Sequence, residues 1–117
     1  MRTLVLIISL ASNLSFAVST QSGTEAFSGE IMDAQCALLG SHKMMLKTTG
    51  ANNDKDCALA CTKMGGKYML YDPASKKAYQ LDDQSNLAAF AGQKVTVTGN
   101  LDASSKVIHV GKIAPAS

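Results

Sequence analysis

The stretch KYMLYDPASKKAYQLDD (residues 67–83) decides the fold. Its apolar and polar residues alternate, first over Tyr68–Tyr71 and again over Ala78–Leu81, which is the period of a β-strand with one face covered. Between the two runs, Pro73 follows Asp72 at the position where a φ fixed near −65° favours a type I turn. The stretch therefore reads as a hairpin, and Gly65 and Gly66 immediately before it mark a change from helical to strand period.

Downstream, QSNLAAFAGQ (84–93) reads as a short helix with Leu87 and Phe90 on one side and Gly92 as its stop. Asp82 and Asp83 precede it as a cap. KVTVTGNLDASSKVIHVGKI (94–113) then gives two more strands. Val95, Val97 and Leu101 face one way and Thr96, Thr98 and Asn100 the other, which predicts one side on a core.

Upstream, FSGEIMD (27–33) is a first strand. Asp33 caps a helical turn in AQCALLGSH that Gly40 ends. KMMLKTTGANNDKD is polar with turn signals at Gly50, Asn52 and Asn53, and a second helix runs from about Asn53 or Asp54 to Met64. The chain is thus mainly β with short helices. Five strands with a short helix between the third and fourth is the order of a small OB-like antiparallel barrel, here with a helical insertion at 34–66 between strands one and two. An open meander packed on the helices would give the same string.

The chain begins with Arg2, an apolar run from Leu4 to Leu10 and a small-residue exit at Ser15 and Ala17, the pattern of a secretory signal peptide over residues 1–17, with Ser19 an alternative cleavage point. The expected product is exported, periplasmic or secreted. The apolar run is far shorter than the roughly 20 residues a membrane span needs, so an integral membrane protein is not expected. Residues 18–26 read as a flexible leader, 27–113 as one domain and 114–117 as a tail. A domain of this size buries only about 60–70% of the surface its unfolded chain exposes, so a cross-link would add usefully to its stability. Without residues 1–17 the chain keeps 10 basic and 9 acidic residues, a balance that argues against a nucleic-acid binder.

All three cysteines, Cys36, Cys57 and Cys61, fall in the insertion together with His42. Three readings compete. An oxidising compartment favours a disulfide. Cys57 and Cys61 share one helix face and make poor partners, so Cys36 would pair with one of them, closing a loop worth on the order of 3 kcal/mol. Alternatively, Cys36, His42, Cys57 and Cys61 form a Cys3His metal set for zinc or copper, with Met44, Met45 and Met64 as nearby soft donors. The spacing C-x5-H-x14-C-x3-C matches no common zinc pattern. The third reading is apolar packing of the stripe Cys57, Cys61 and Met64.

His109 reads as a half-buried, hydrogen-bonded strand residue, and Tyr68, Tyr71 and Tyr79 as packing rather than a base-stacking platform. No nucleophile–base pair or haem-attachment run is identifiable, so the chain reads as a non-enzyme: a small binding or structural module for an envelope protein or small ligand.

The segments GEIMDAQCA (29–37), CALACTKMGGKYMLYD (57–72), AYQLDDQ (78–84), FAGQKVTVTGNLD (90–102) and KVIHVGKI (106–113) resemble a family of small exported bacterial proteins of unknown function, over about residues 27–113. The family pattern of a cysteine after the first strand, a nearby histidine and a paired cysteine motif before a Gly-Lys-Tyr strand falls here on Cys36, His42, Cys57 and Cys61. The resemblance implies an exported barrel domain and no reaction. A fold-level similarity links it to small periplasmic OB-fold proteins of stress tolerance.

Overall fold

The computed structural model describes residues 23–116; the expected signal peptide and its cleavage point lie outside them. Five strands, β1 (Glu25–Asp33), β2 (Tyr68–Asp72), β3 (Lys77–Leu81), β4 (Lys94–Asp102) and β5 (Val107–Pro115), form one sheet that closes on itself in the order β1-β2-β3-β5-β4. Three short helices lie between β1 and β2: α1 (Ala34–Leu39), α2 (Lys43–Thr49) and α3 (Asp54–Lys63). A 3-10 turn, Leu87–Phe90, precedes β4. No helix among the described residues is long and apolar enough to cross a membrane.

β2 and β3 form the expected hairpin, paired from Met69–Gln80 to Asp72–Lys77, and Asp72 stabilises its turn by accepting from Ala74 N (2.9 Å) and Ser75 Oγ (2.7 Å). β4 and β5 form a second antiparallel hairpin whose register shifts at Thr98 and Gly99. β1 serves two neighbours: Glu25–Glu30 pair with β4 and Glu30–Asp33 with β2. The antiparallel expectation fails at one seam, because β3 and β5 run parallel through Gln80–Val107 and Leu81–Ile108. An odd number of strands cannot alternate direction all the way round a ring, so one parallel pair is unavoidable.

Strand parity sets the core. Ile31, Leu70, Leu81, Val95, Val97 and Ile108 are buried inside the ring, with Leu101 packed against them, while Thr96 and Thr98 are half-buried and Asn100 is exposed. β1 begins two residues before the expected Phe27, in the segment read as a leader, because strand pairing uses backbone groups that polar side chains do not remove. The expected tail likewise joins the sheet at its described residues: Ala114 and Pro115 belong to β5, and Ala116 N donates to Lys94 O.

The insertion packs a second cluster on the outer face of β1. Met32, Cys36, Ala37, Cys57 and Cys61 are buried there, flanked by Met45, Leu46, Met69 and Tyr71. α3 joins the two clusters, since its Ala58 belongs to the ring core and its Cys57 and Cys61 to the outer one. Helix α2 was not expected from its polar sequence; Lys, Met and Leu are good helix formers, and Met45 and Leu46 pack on the cysteine cluster.

Candidate functional site

The site is built where β1 gives way to the insertion. Asp33 ends β1 in an extended conformation and caps α1, its Oδ2 accepting from Gln35 N (3.1 Å) and Cys36 N (3.2 Å). This fixes Cys36 in the first turn of α1, with its side chain buried. Gly40 closes α1 and Ser41 leads to His42, buried at the start of α2. Asn53 caps α3 through Asp56 N (2.8 Å), which sets the phase of the helix and turns Cys57 inward.

These three segments converge. One ligand atom each from Cys36, His42 and Cys57 lie within 4.8 Å of one another, and all three residues are buried. His42 Nε2 is 3.0 Å from Glu30 Oε1 on β1, while His42 Nδ1 is buried with no hydrogen-bond partner. A carboxylate that holds one ring nitrogen fixes the tautomer with the proton on that side and leaves the other lone pair free, which is the arrangement of metal-ligating histidines. Around a tetrahedral ion with metal–sulfur bonds near 2.3 Å, ligand atoms sit about 3.5–3.8 Å apart, so binding here would draw the three atoms together by up to about 1 Å.

Of the four residues singled out in the sequence, the structure groups three. Cys61 lies outside the three-atom group but on the same face of α3, in the same cluster, and is 6% exposed. All three cysteines are free; the Cys36 and Cys57 sulfurs lie within 4.8 Å of each other without forming a disulfide, and Cys61 neighbours Cys57. Of the methionines, Met45 packs on the cluster, whereas Met44 and Met64 are exposed.

The electrostatics keep the Cys36 and Cys61 thiols protonated. Burial pushes Cys36 up strongly, and the adjacent Asp33 carboxylate and Cys57 add to it. Burial, the Asp33 charge and Cys57 push Cys61 up to about 11. Asp33 Oδ1 is itself buried without an N–H or O–H partner, leaving thiols, which are weak donors, to face it. A cation entering the cluster would replace thiol protons and meet a carboxylate already in place.

Two participants escaped the sequence. Asp33 was read only as a cap, and Glu30 was not singled out. The signal for Glu30 is Met32: both lie on the outer face of β1, and a large apolar residue on that face announces a cover over it.

Other candidates separate from this site. His109 is on the surface, not half-buried, with Nδ1 3.1 Å from Asp82 Oδ2. Asp82 also accepts from Val110 N (2.8 Å), and Asp83 accepts from Ser85 N, so neither caps the 3-10 turn, which Asn86 precedes. Tyr68 is buried with its hydroxyl 3.0 Å from Thr62 Oγ1, Tyr79 packs on Phe27 with centroids 5.5 Å apart, and Tyr71 joins the cysteine cluster. No protein-family model, curated protein or solved structure matches this chain.

Proposed function

We propose that this chain is a small exported metal-binding protein, a non-enzyme that holds a thiophilic ion, zinc or copper, through Cys36, His42 and Cys57, with Cys61 as the fourth donor. The ring of strands is read as an OB-like barrel, in which the connection between the first two strands commonly borders the ligand site. The observation that carries the proposal is the convergence of two buried thiols and a buried histidine whose Nδ1 has no partner while Nε2 is held by Glu30. An unpartnered buried nitrogen costs stability, and a ligand removes that cost.

A second reading keeps the insertion as a structural or docking module for an envelope partner, cross-linked by a Cys36–Cys57 disulfide. It is supported by the approach of these two sulfurs and by the oxidising compartment that the signal pattern implies. Closing that loop is worth about 3 kcal/mol in the chain-entropy model.

Metal analysis and a thiol count on the native exported protein separate the two. Stoichiometric metal, lost together with stability on chelation, is the expected result. One free thiol without metal, and destabilisation by reductant alone, would replace it with the disulfide reading. Three free thiols with no response to either reagent overturn both.

A further inference from the structure

A surface pocket of about 340 Å³ opens beside the buried cluster, lined by Asp33, Leu38, Cys61 and Met64 among others. Along α3 and its end, the sulfur-bearing residues form a gradient of exposure: Cys57 is 0% exposed, Cys61 6% and Met64 73%. Their spacings of four and three residues put them on one helix side, so the row leads outward from the three-atom group, and its outer two members, Cys61 and Met64, line the pocket. Apolar packing does not account for Met64, which with Leu38 and Met44 is among the most exposed large apolar residues of the described domain. A thioether is a neutral soft donor that needs no deprotonation and suits Cu(I), whereas zinc prefers thiolate, imidazole and carboxylate.

From this row we infer that Met64 and Cys61 form an outer receiving station for Cu(I), from which the ion passes inward to the Cys36–His42–Cys57 group, leaving Met64 and keeping Cys61 as its fourth donor. The inference rests on the metal-binding reading and names its ion and its way in. Copper stays in the +1 state throughout. Met64 binds without proton loss, and each thiol that takes the ion releases its proton to water. Leu38, 78% exposed in the same lining, supplies shape but no donor.

The test is anaerobic transfer of Cu(I) from its bathocuproine disulfonate complex to the reduced full domain, followed by loss of the complex's colour. Met64→Leu removes the sulfur from an exposed position at nearly constant volume, so folding is not at stake. It is expected to slow transfer about tenfold, the lower end of what supporting groups contribute at metal sites, while leaving the final stoichiometry unchanged. Leu38→Ala should transfer at the wild-type rate, and zinc uptake should be the same in Met64→Leu as in wild type. Wild-type transfer rates in Met64→Leu, an equal slowing in Leu38→Ala, or an equal slowing of zinc uptake would each overturn the inference while leaving the inner site standing. Failure of the wild type to take Cu(I), with zinc still bound, would overturn it on the choice of ion. Failure to bind either ion would remove the metal-binding reading itself.

Discussion

Replacing Gly92 with alanine tests how the insertion is docked on the ring. Gly92 and Gly50 have nearly the same left-handed backbone, φ 71 and φ 72, so each pays a similar conformational penalty on substitution, about 1–2 kcal/mol. Their surroundings differ. Nothing lies within 4 Å of a Cβ at Gly50, whereas a Cβ at Gly92 would sit 2.5 Å from Lys55 N, 2.7 Å from Lys55 Cα and 2.8 Å from the Asp54 carbonyl carbon. All three are backbone atoms of the first turn of α3, so no rotamer change relieves them. Gly92 cannot retreat either, because Gly92 N donates to Ile31 O (2.8 Å) and Ile31 N donates to Gln93 O (3.0 Å). Relief requires α3 to move off β1 by about 1 Å, an overpacking cost of about 1–3 kcal/mol. Gly92→Ala should therefore lose about 2–5 kcal/mol and Gly50→Ala about 1–2 kcal/mol, read as midpoint shifts in urea denaturation. Because α3 carries Cys57, the same shift should widen the Cys36–His42–Cys57 group and weaken metal retention against a chelator in Gly92→Ala only. Equal stability losses in the two variants would refute the docking argument.

Val97 is fully buried and Thr98 half-buried, so Val97→Asp should cost several kcal/mol by burying an unpaired charge, while Thr98→Asp, opposite Lys112, should cost less than about 1 kcal/mol; equal tolerance would mean that the register of β4 is wrong. Glu30→Gln should weaken metal binding by about 10–100-fold in a chelator competition, because it loses the carboxylate that fixes His42, and unchanged affinity would separate Glu30 from the site. Asp82 is held below the usual carboxylate range by Val110 N–H and then by His109, so its contribution is present above the unfolded-state value and disappears as pH falls through the folded one. Asp82→Ala should thus cost up to about 1 kcal/mol at neutral pH, and the gap from wild type in pH-dependent denaturation should shrink in acid. With Cys61 pushed up to about 11, chiefly by burial and then by Asp33, its alkylation in metal-free protein should be slow at neutral pH and quicken toward that value. Asp33→Asn should move the onset of alkylation to lower pH, and an unmoved onset would remove Asp33 from the account.

What the sequence disclosed was whatever depends on neighbours along the chain. The alternation of Val95 and Val97, the Asp72–Pro73 turn, the cap at Asp33 and the helix start near Asn53 or Asp54 are local, and the structure has all of them. The parallel seam between β3 and β5 is not local: it arises only when an odd number of strands closes, which no window of sequence reports. Residue types at the candidate site were legible because Cys36, His42, Cys57 and Cys61 are conspicuous in so small a chain. Their geometry was not, because it depends on α2, whose polar sequence reads as a loop until Met45 and Leu46 find the cysteine cluster to cover. His109 failed the other way: its strand was read correctly, but the outer face there has no cover, so the residue stands in solvent.

The three helices of the insertion are 6, 7 and 10 residues long, all below the length at which a helix holds in water without tertiary support. Each meets the group once, α1 through Cys36, the start of α2 through His42 and α3 through Cys57. The ring's core comes mostly from its own strands, with Ala58 of α3 as the insertion's buried member, so its pairing depends less than the insertion does on what joins these three residues. A bound ion or a disulfide would therefore act mainly on the insertion, raising the cost of its local opening while adding less to the ring. The two cross-links differ in which helix they leave out, since a Cys36–Cys57 bond ties α1 to α3 directly and an ion engages the start of α2 as well. Amide exchange in Lys43–Thr49 is consequently where the two should diverge: protection there should rise on metal binding and should change little on oxidation, because only the ion pulls on His42.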